Sequence, residues 1–391
     1  MKISILAQTD FIQKSPTLKE EFDNLSGKAA GICYLPADLN TLLNEPDEKT
    51  KARINQTKNS KHLSVYDHAS VSLYLEDIPK ALAMVLNNEK MYNTSEKSAR
   101  YTKMVLKEEE KELYNKWLNK FKELITAKYQ EKYPKFFTNN KIEKLAQENA
   151  RYLISVFTPT SMLYTVQYGQ LNRVYHFLMN ELETQTDNKF RNALKPFIKE
   201  FCEAVSKVTG LVDERINADD KKRKLSLFSD YTPFEEFGDT YSTSYKASFA
   251  ELAQAQRHRT IWYSMSLLET DEFYLPKILR NDEKLCKEWL EDCKKQSSVL
   301  PQGMLININE QGTLENFILK MKERKCSFTQ LEINDVTNGT LKKYIEELER
   351  KNHPRKDTLK AYSKGARCTF PDYTCPSPCG FIEGINETRE I

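Results

Sequence analysis

The run Gln254-Ala-Gln-Arg257-His258-Arg259 sets two guanidinium groups and an imidazole at the end of an amphipathic stretch. A guanidinium is a planar fork of donors, suited to phosphate oxygens and to the carbonyl edge of a heterocycle. The imidazole between them has its charge disfavoured by like neighbours and can serve as a neutral donor or acceptor. The same residues also read as a basic helix end complementing the helix dipole. A second candidate is His62-Leu-Ser64-Val-Tyr-Asp-His68, leading into an alternating segment. Its two His suit a metal, but no carboxylate or Cys spacing completes a recognised site; one structural and one surface His is the plainer reading. Ser98-Ala99-Arg100-Tyr101 offers a hydroxyl, backbone N–H groups and a guanidinium, which together make a phosphate seat. A Ser at a helix start explains the same four residues. Lastly, Cys326, Cys368, Cys375 and Cys379 offer four thiolates, a donor set for structural zinc. Their C-x6-C-x3-C spacing is not a standard zinc pattern, and reduced, unliganded thiols are the alternative. Cys33, Cys202, Cys286 and Cys293 look like ordinary helix or core residues.

The chain that must position these groups has 391 residues, which exceeds what one core usually serves, so two domains are expected. Charged residues make up 29% and hydrophobic ones 39%, the balance of a globular protein. Only 11 Gly are present, and neither G-x-G-x-x-G nor G-x-x-x-x-G-K-[ST] occurs, so no dinucleotide fingerprint or P-loop is supported. A formal charge of +3 lacks the basic excess of a nucleic-acid polymer binder. No apolar run approaches the roughly 20 residues that cross a bilayer, and the opening MKISILAQTD is too brief for a signal peptide. A cytoplasmic location follows as the expectation, with thiols reduced.

Period-two alternation from Val65 to Leu75 predicts a half-buried strand, and Lys2 to Ala7 a short one. Helices are expected after Pro79, from Lys103 to Lys132, from Ile142 into Val156, and from Leu171 to Leu182. Another runs from Asp187, as N-cap, to Val208. The charged stretch 211–230 marks a boundary between a first domain, 1–210, and a second, 231–391. Beyond it come a helix from Tyr245 to Arg259, another from Asn281 to Lys295, the strand LININ, and a helix from Thr313 to Lys325. The halves share this order with little identity, which suggests an old internal duplication.

Taken together, the motifs resemble the flavin-dependent thymidylate synthases. That family carries, in order, A-A-x-x-C-Y, H-x-S-x-x-x-H, a helix ending R-H-R, S-x-R-Y, A-R-x-x-L-P, and an Arg six residues before the Gln of A-Q-x-E-I. The first half here has Ala29-Ala30-Gly-Ile-Cys33-Tyr34, the His62 to His68 motif, Ser98 to Tyr101, and Ala150-Arg151. The second half has Arg257-His258-Arg259, Val299-Leu300-Pro301, and Arg324 ahead of Gln330-Leu-Glu332-Ile333. The C-terminal cysteines look like the tails of some members. The departures are complementary. Asn88-Glu89-Lys90 stands where the first half should read R-H-R, and Glu181 where a late Arg belongs; the second half lacks S-x-R-Y and A-R.

The resemblance implies an α+β fold, each half a mixed sheet with long helices, the two halves forming an internal pseudo-dimer with one composite site. It implies that Ser98, Ala99, Arg100 and Arg151 hold dUMP from one side, and Gln254, Arg257 and Arg324 from the other. Arg324 would be the catalytic group, polarising the uracil ring. His62, Ser64, His258 and Arg259 would hold FAD, with Arg257 shared. The implied reaction converts dUMP to dTMP with NADPH as reductant and 5,10-methylenetetrahydrofolate as methylene donor, in a homodimer. A related C5 modification of a pyrimidine nucleotide, a non-catalytic flavin- or nucleotide-binding scaffold, and a helical interaction protein built on 103–132 and 281–295 are the other readings.

Overall fold

The computed structural model describes residues 1–98, 102, 106–217, 223–230 and 232–391. In chain order its main elements are β1 (Lys2–Gln8), α1 (Leu18–Tyr34), α2 (Leu39–Leu43), α3 (Asp47–Asn59), β2 (Ser70–Pro79), α4 (Lys80–Leu86) and β3 (Asn93–Glu96). There follow α5 (Glu108–Ile125), α6 (Asn139–Ala150), β4 (Pro159–Gln167), α7 (Tyr168–Glu183) and α8 (Lys189–Thr209). The second half contributes β5 (Glu236–Phe237), β6 (Thr240–Ser248), α9 (Phe249–Ala255), β7 (Trp262–Leu267), α10 (Glu283–Lys295), β8 (Leu305–Thr313), α11 (Leu314–Arg324) and α12 (Leu331–Arg350). Among the described residues no helix is long and apolar enough to cross a membrane.

These elements fall into two compact units that do not follow chain order. Unit 1 takes Met1–Lys97 and Pro159–Ser226; unit 2 takes Ser98–Thr158 and Leu227–Ile391. The expected first domain, 1–210, therefore gives its middle to unit 2. The cause is aromatic: Trp117 of α5 packs edge-on against Trp289 of α10 at 4.8 Å, and its indole N–H reaches Asp292 at 2.9 Å. Both tryptophans are fully buried, so α5 is amphipathic rather than the solvated helix its charges suggest.

Unit 1 is a four-stranded sheet in the order β1-β2-β4-β3, and every pairing is antiparallel. Val71, Leu73 and Leu75 of β2 are buried while Ser70, Ser72 and Tyr74 are not, as period two requires. The alternation expected from Val65 begins late, because Leu63–Asp67 forms a 3₁₀ turn that buries Val65 and Tyr66. Helix α8 is capped by Asn188, not Asp187: the Asn188 side chain accepts from the Arg191 N–H. The segment after it packs rather than links. Leu211 and Ile216 are fully buried, and Asp213 accepts at 2.8 Å from Lys58, which also donates to Asp23. The two lysines beside it, Lys19 and Lys58, hold the Asp213 carboxyl far below its usual range against the opposing effect of burial.

Unit 2 has a second four-stranded antiparallel sheet, ordered β5-β6-β8-β7. Its strand order repeats that of the first sheet. The α+β class holds for both; the sheets are antiparallel throughout instead of mixed. The helix expected from Tyr245 to Arg259 is a strand to Ser248 and then a short helix, because Tyr245 and Ala247 pair with Ile308 and Ile306 of β8.

Candidate functional site

Helix α9 is started by Ser248, whose side chain accepts from the Glu251 N–H at 3.1 Å. That cap is itself held. Glu332 of α12 accepts from the Ser248 N–H at 2.8 Å and from its hydroxyl at 2.6 Å, and from the Tyr152 hydroxyl at 2.9 Å. A buried carboxylate with three donors is well satisfied. Tyr152 follows Arg151, and its backbone lies against Gly303: the Gly303 N–H meets the Tyr152 carbonyl at 2.8 Å. A Cβ at Gly303 would stand 2.8 Å from that carbonyl and from the Tyr152 Cβ, so the close approach needs glycine. Glu332 thus ties the segment after α6 to the start of α9, and the charge of buried Arg151 acts on it.

At the other end of α9 the chain turns through Gln256 to Thr260, with the His258 N–H bonded to the Ala255 carbonyl. Helix α11, capped by Thr313, brings Arg324 to the same place. The Arg324 Nε donates to His258 Nε2 at 2.6 Å, and its Nη2 to the Gln254 carbonyl at 3.4 Å. Asn334 of α12 fixes the Arg324 carbonyl at 3.1 Å. Since Nε2 accepts, the neutral ring of His258 carries its proton on Nδ1. Burial holds the imidazole well below its ordinary range, aided by the charges of Arg324 and Lys320. Its neutrality was expected from Arg257 and Arg259; those side chains are exposed, and α11 supplies the cations that act.

Beneath this pair is a set of buried polar groups that the motifs did not flag. Lys320, one turn before Arg324, pairs with Glu310 of β8 at 2.6 Å, both fully buried. Tyr241 and Tyr245 of β6 donate to the same Glu310 at 2.6 and 2.8 Å. Glu251 of α9 is fully buried too. The signal was available: a Glu within the apolar alternation of β8, and a Lys on the buried face of an amphipathic helix.

The candidate residues are distributed as follows. Arg151, Gln254, Arg257, His258, Arg259 and Arg324 all lie in unit 2, and Gln254, His258 and Arg324 are in direct contact. Ser98 is half-buried in the same unit, its carbonyl accepting from the Thr102 N–H at 3.0 Å. Ala99 and Arg100 lie outside the described residues. His62 and Ser64 belong to unit 1, where His62 Nδ1 meets the Tyr34 hydroxyl, so the A-A-x-x-C-Y and H-x-S-x-x-x-H motifs touch. Cys326, Cys368, Cys375 and Cys379 line one cavity of about 560 Å³ with Phe328 and Arg367. Among the described residues, however, no group of three or more Cys, His, Asp or Glu is arranged to hold a metal ion, so the zinc expectation lacks its geometry. The positions at the same offsets in the first half of the chain carry other residues. Glu89 stands three residues past α4 as His258 does past α9, and Leu178, not the expected Glu181, is the eleventh residue of α7 as Arg324 is of α11. Glu89 is buried, which raises its carboxyl, and it accepts from Ser226 and Arg223.

Residues 17–205 match the family model described as thymidylate synthase complementing protein, Thy1. The matched stretch is just under half of the chain, and the family is the one its motifs resemble. No curated protein matches the chain in sequence. Among solved structures it is similar to the UMP/dUMP methylase PolB from Streptomyces cacaoi, bound with 5-Br dUMP. That match has 14% identity and a TM-score of 0.32 over 55% of this chain and 93% of that one. Thymidylate synthase X from Helicobacter pylori, with FAD and dUMP, is similar at 15% identity and a TM-score of 0.32, over 55% and 99% of the two chains. Likeness at that level assigns no ligand to this chain.

Proposed function

We propose that the chain is a flavin-dependent methylase of dUMP. With NADPH and 5,10-methylenetetrahydrofolate it would yield dTMP, tetrahydrofolate and NADP⁺, taking up one proton. The observation that carries this reading is the gathering, within unit 2, of Arg151 from the first half of the sequence with Gln254, His258 and Arg324 from the second. These are the groups that the family resemblance divides between two halves of a composite nucleotide site. The shared strand order of the two sheets supports an internal duplication behind that division.

On this reading Ser98, Ala99, Arg100 and Arg151 would hold the nucleotide phosphate and sugar, the two Arg supplying charge, since a buried dianion needs paired cations. Gln254, Arg257 and Arg324 would face the pyrimidine. Arg324, aligned by the neutral His258, would place a fixed positive charge at a carbonyl edge where negative charge develops. The residues present fit a flavin dinucleotide: exposed Arg257 and Arg259 flank buried His258 and suit a diphosphate. His62 and Ser64 are the further candidates, in unit 1. FAD would supply the redox chemistry, and the protein the orientation and positive potential. We also propose that the chain assembles as a homodimer, testable by its solution mass.

The test is binding. The purified chain should take up FAD with visible flavin bands, and dUMP should then bind and shift them. A chain that takes up neither ligand contradicts the proposal. UMP in parallel separates a thymidylate synthase from a broader pyrimidine-nucleotide methylase.

A further inference from the structure

Glu251 is fully buried in α9, and neither carboxyl oxygen has a hydrogen-bond partner among the described residues. Charged groups on three neighbouring elements act on it. Helix α11 presents Lys320 and Arg324, β8 presents Glu310, α12 presents Glu332, and β6 adds the phenol of Tyr245. Tyr263 of β7 acts on Tyr245, and His258 lies beyond Arg324. Both nearby cations have other partners: Lys320 pairs with Glu310 at 2.6 Å, and Arg324 meets His258 at 2.6 Å, the Gln254 carbonyl, and the Glu323 carboxylate at 3.7 Å, which also lies 3.8 Å from His258 Nδ1. A buried, ionised carboxylate without donors is strongly disfavoured, so such a group either keeps its proton or captures a cation. Arg324 is the cation able to move, because its ion pair with half-exposed Glu323 at 3.7 Å is looser and wetter than the fully buried Lys320–Glu310 pair at 2.6 Å.

We propose that Glu251 is a positioning residue for Arg324: protonated, it leaves the guanidinium to His258 and Gln254, and ionised, it draws the guanidinium away from them. Burial, reinforced by Glu332 and Glu310 and opposed by Lys320 and Arg324, pushes the Glu251 carboxyl up to about 8. The proton is thus held at neutral pH and released to solvent at mildly alkaline pH. Glu251 sits one turn before Gln254, on the helix that carries both Gln254 and the His258 turn. The assignment of Arg324 as a nucleotide-facing group rests on the function proposed above; the Glu251–Arg324 coupling does not.

The test is a pH titration of the full chain labelled with ¹⁵N-arginine, following the Arg324 Nε–H resonance, assigned by its loss in Arg324→Lys. The wild-type signal should move with a midpoint near pH 8 as the guanidinium leaves His258, and Glu251→Gln, an isostere of the protonated acid, should hold it still. Glu251→Met, which also cannot ionise, serves if the Gln variant does not fold. A wild-type signal that does not move over the range from about pH 6 to about pH 10, or that moves equally in the variants, overturns the proposal. In a second arm dUMP affinity is measured in the same samples. Wild-type affinity should fall about tenfold per pH unit above the midpoint, and the variant's should stay level. If dUMP binds at no pH while the resonance titrates only in the wild type, the nucleotide reading fails and the coupling stands.

Discussion

Glu251→Gln should make unit 2 more stable, and increasingly so as pH rises from acid to neutral. The folded carboxyl sits at about 8 against an ordinary 4.5. A raised folded value means the folded state binds the proton more tightly. Its contribution to stability is whole below the unfolded value and is lost as pH climbs through the folded one. Each unit of difference is worth 1.36 kcal/mol, so from pH 5 to pH 7 the wild type should lose about 2 to 3 kcal/mol relative to the variant. A further loss of about 1 kcal/mol follows by pH 9, after which the curves run parallel. Glutamine matches the shape of the neutral acid and leaves no cavity, so the difference isolates the proton. The assay is urea unfolding at several pH values, read by tryptophan fluorescence. Trp117, Trp262 and Trp289 all lie in unit 2, so the signal reports on that unit. Denaturant midpoints compared at equal slope give the stability difference. Wild-type and variant curves that stay parallel between pH 5 and pH 8 refute the reasoning.

Three other outcomes follow from the same contacts. Lys320→Met leaves Glu310 buried without its cation and should lower stability by about 3 to 5 kcal/mol, measured by the same unfolding assay; replacing Glu310 as well should recover much of the loss. Gly303→Ala drives a methyl to 2.8 Å from the Tyr152 backbone and should cost about 1 to 3 kcal/mol while weakening dUMP binding through Arg151. Arg324→Ala removes the donor to His258 Nε2 and one of the charges that hold the imidazole neutral. The His258 value should rise toward the ordinary range, visible by imidazole NMR, and dUMP affinity should fall by about 10- to 100-fold.

Several elements were legible because one period dominated. The alternation of β2, the LININ strand and the helix ending at Arg324 follow from side-chain spacing alone. Other elements were not, and the reasons are local. Tyr245 to Arg259 carries apolar residues at intervals compatible with a helix, and only pairing with β8 makes its first part a strand. Helix α12, Leu331–Arg350, was missed because Asn338-Gly339 and the β-branched Ile333, Val336, Thr337, Thr340 and Ile345 weaken its propensity, whereas packing of Leu341, Tyr344 and Leu348 into the core sustains it. The assignment of residues 98–158 to unit 2 rests on Trp117 meeting Trp289, a contact between residues 172 positions apart that no window reveals. At the site, the spacing of R-H-R and the late Arg pointed to residues that the structure brings into contact. It was silent on Glu251, Glu310 and Lys320, since a buried charge is recognised by what surrounds it.

The central claim is the reaction, and product formation tests it most directly. The full chain, supplied with FAD, NADPH, 5,10-methylenetetrahydrofolate and dUMP, should form dTMP, and Arg324→Ala should form little. A chain that takes up FAD and binds dUMP yet yields no methylated nucleotide, or a variant as active as the wild type, would contradict the account.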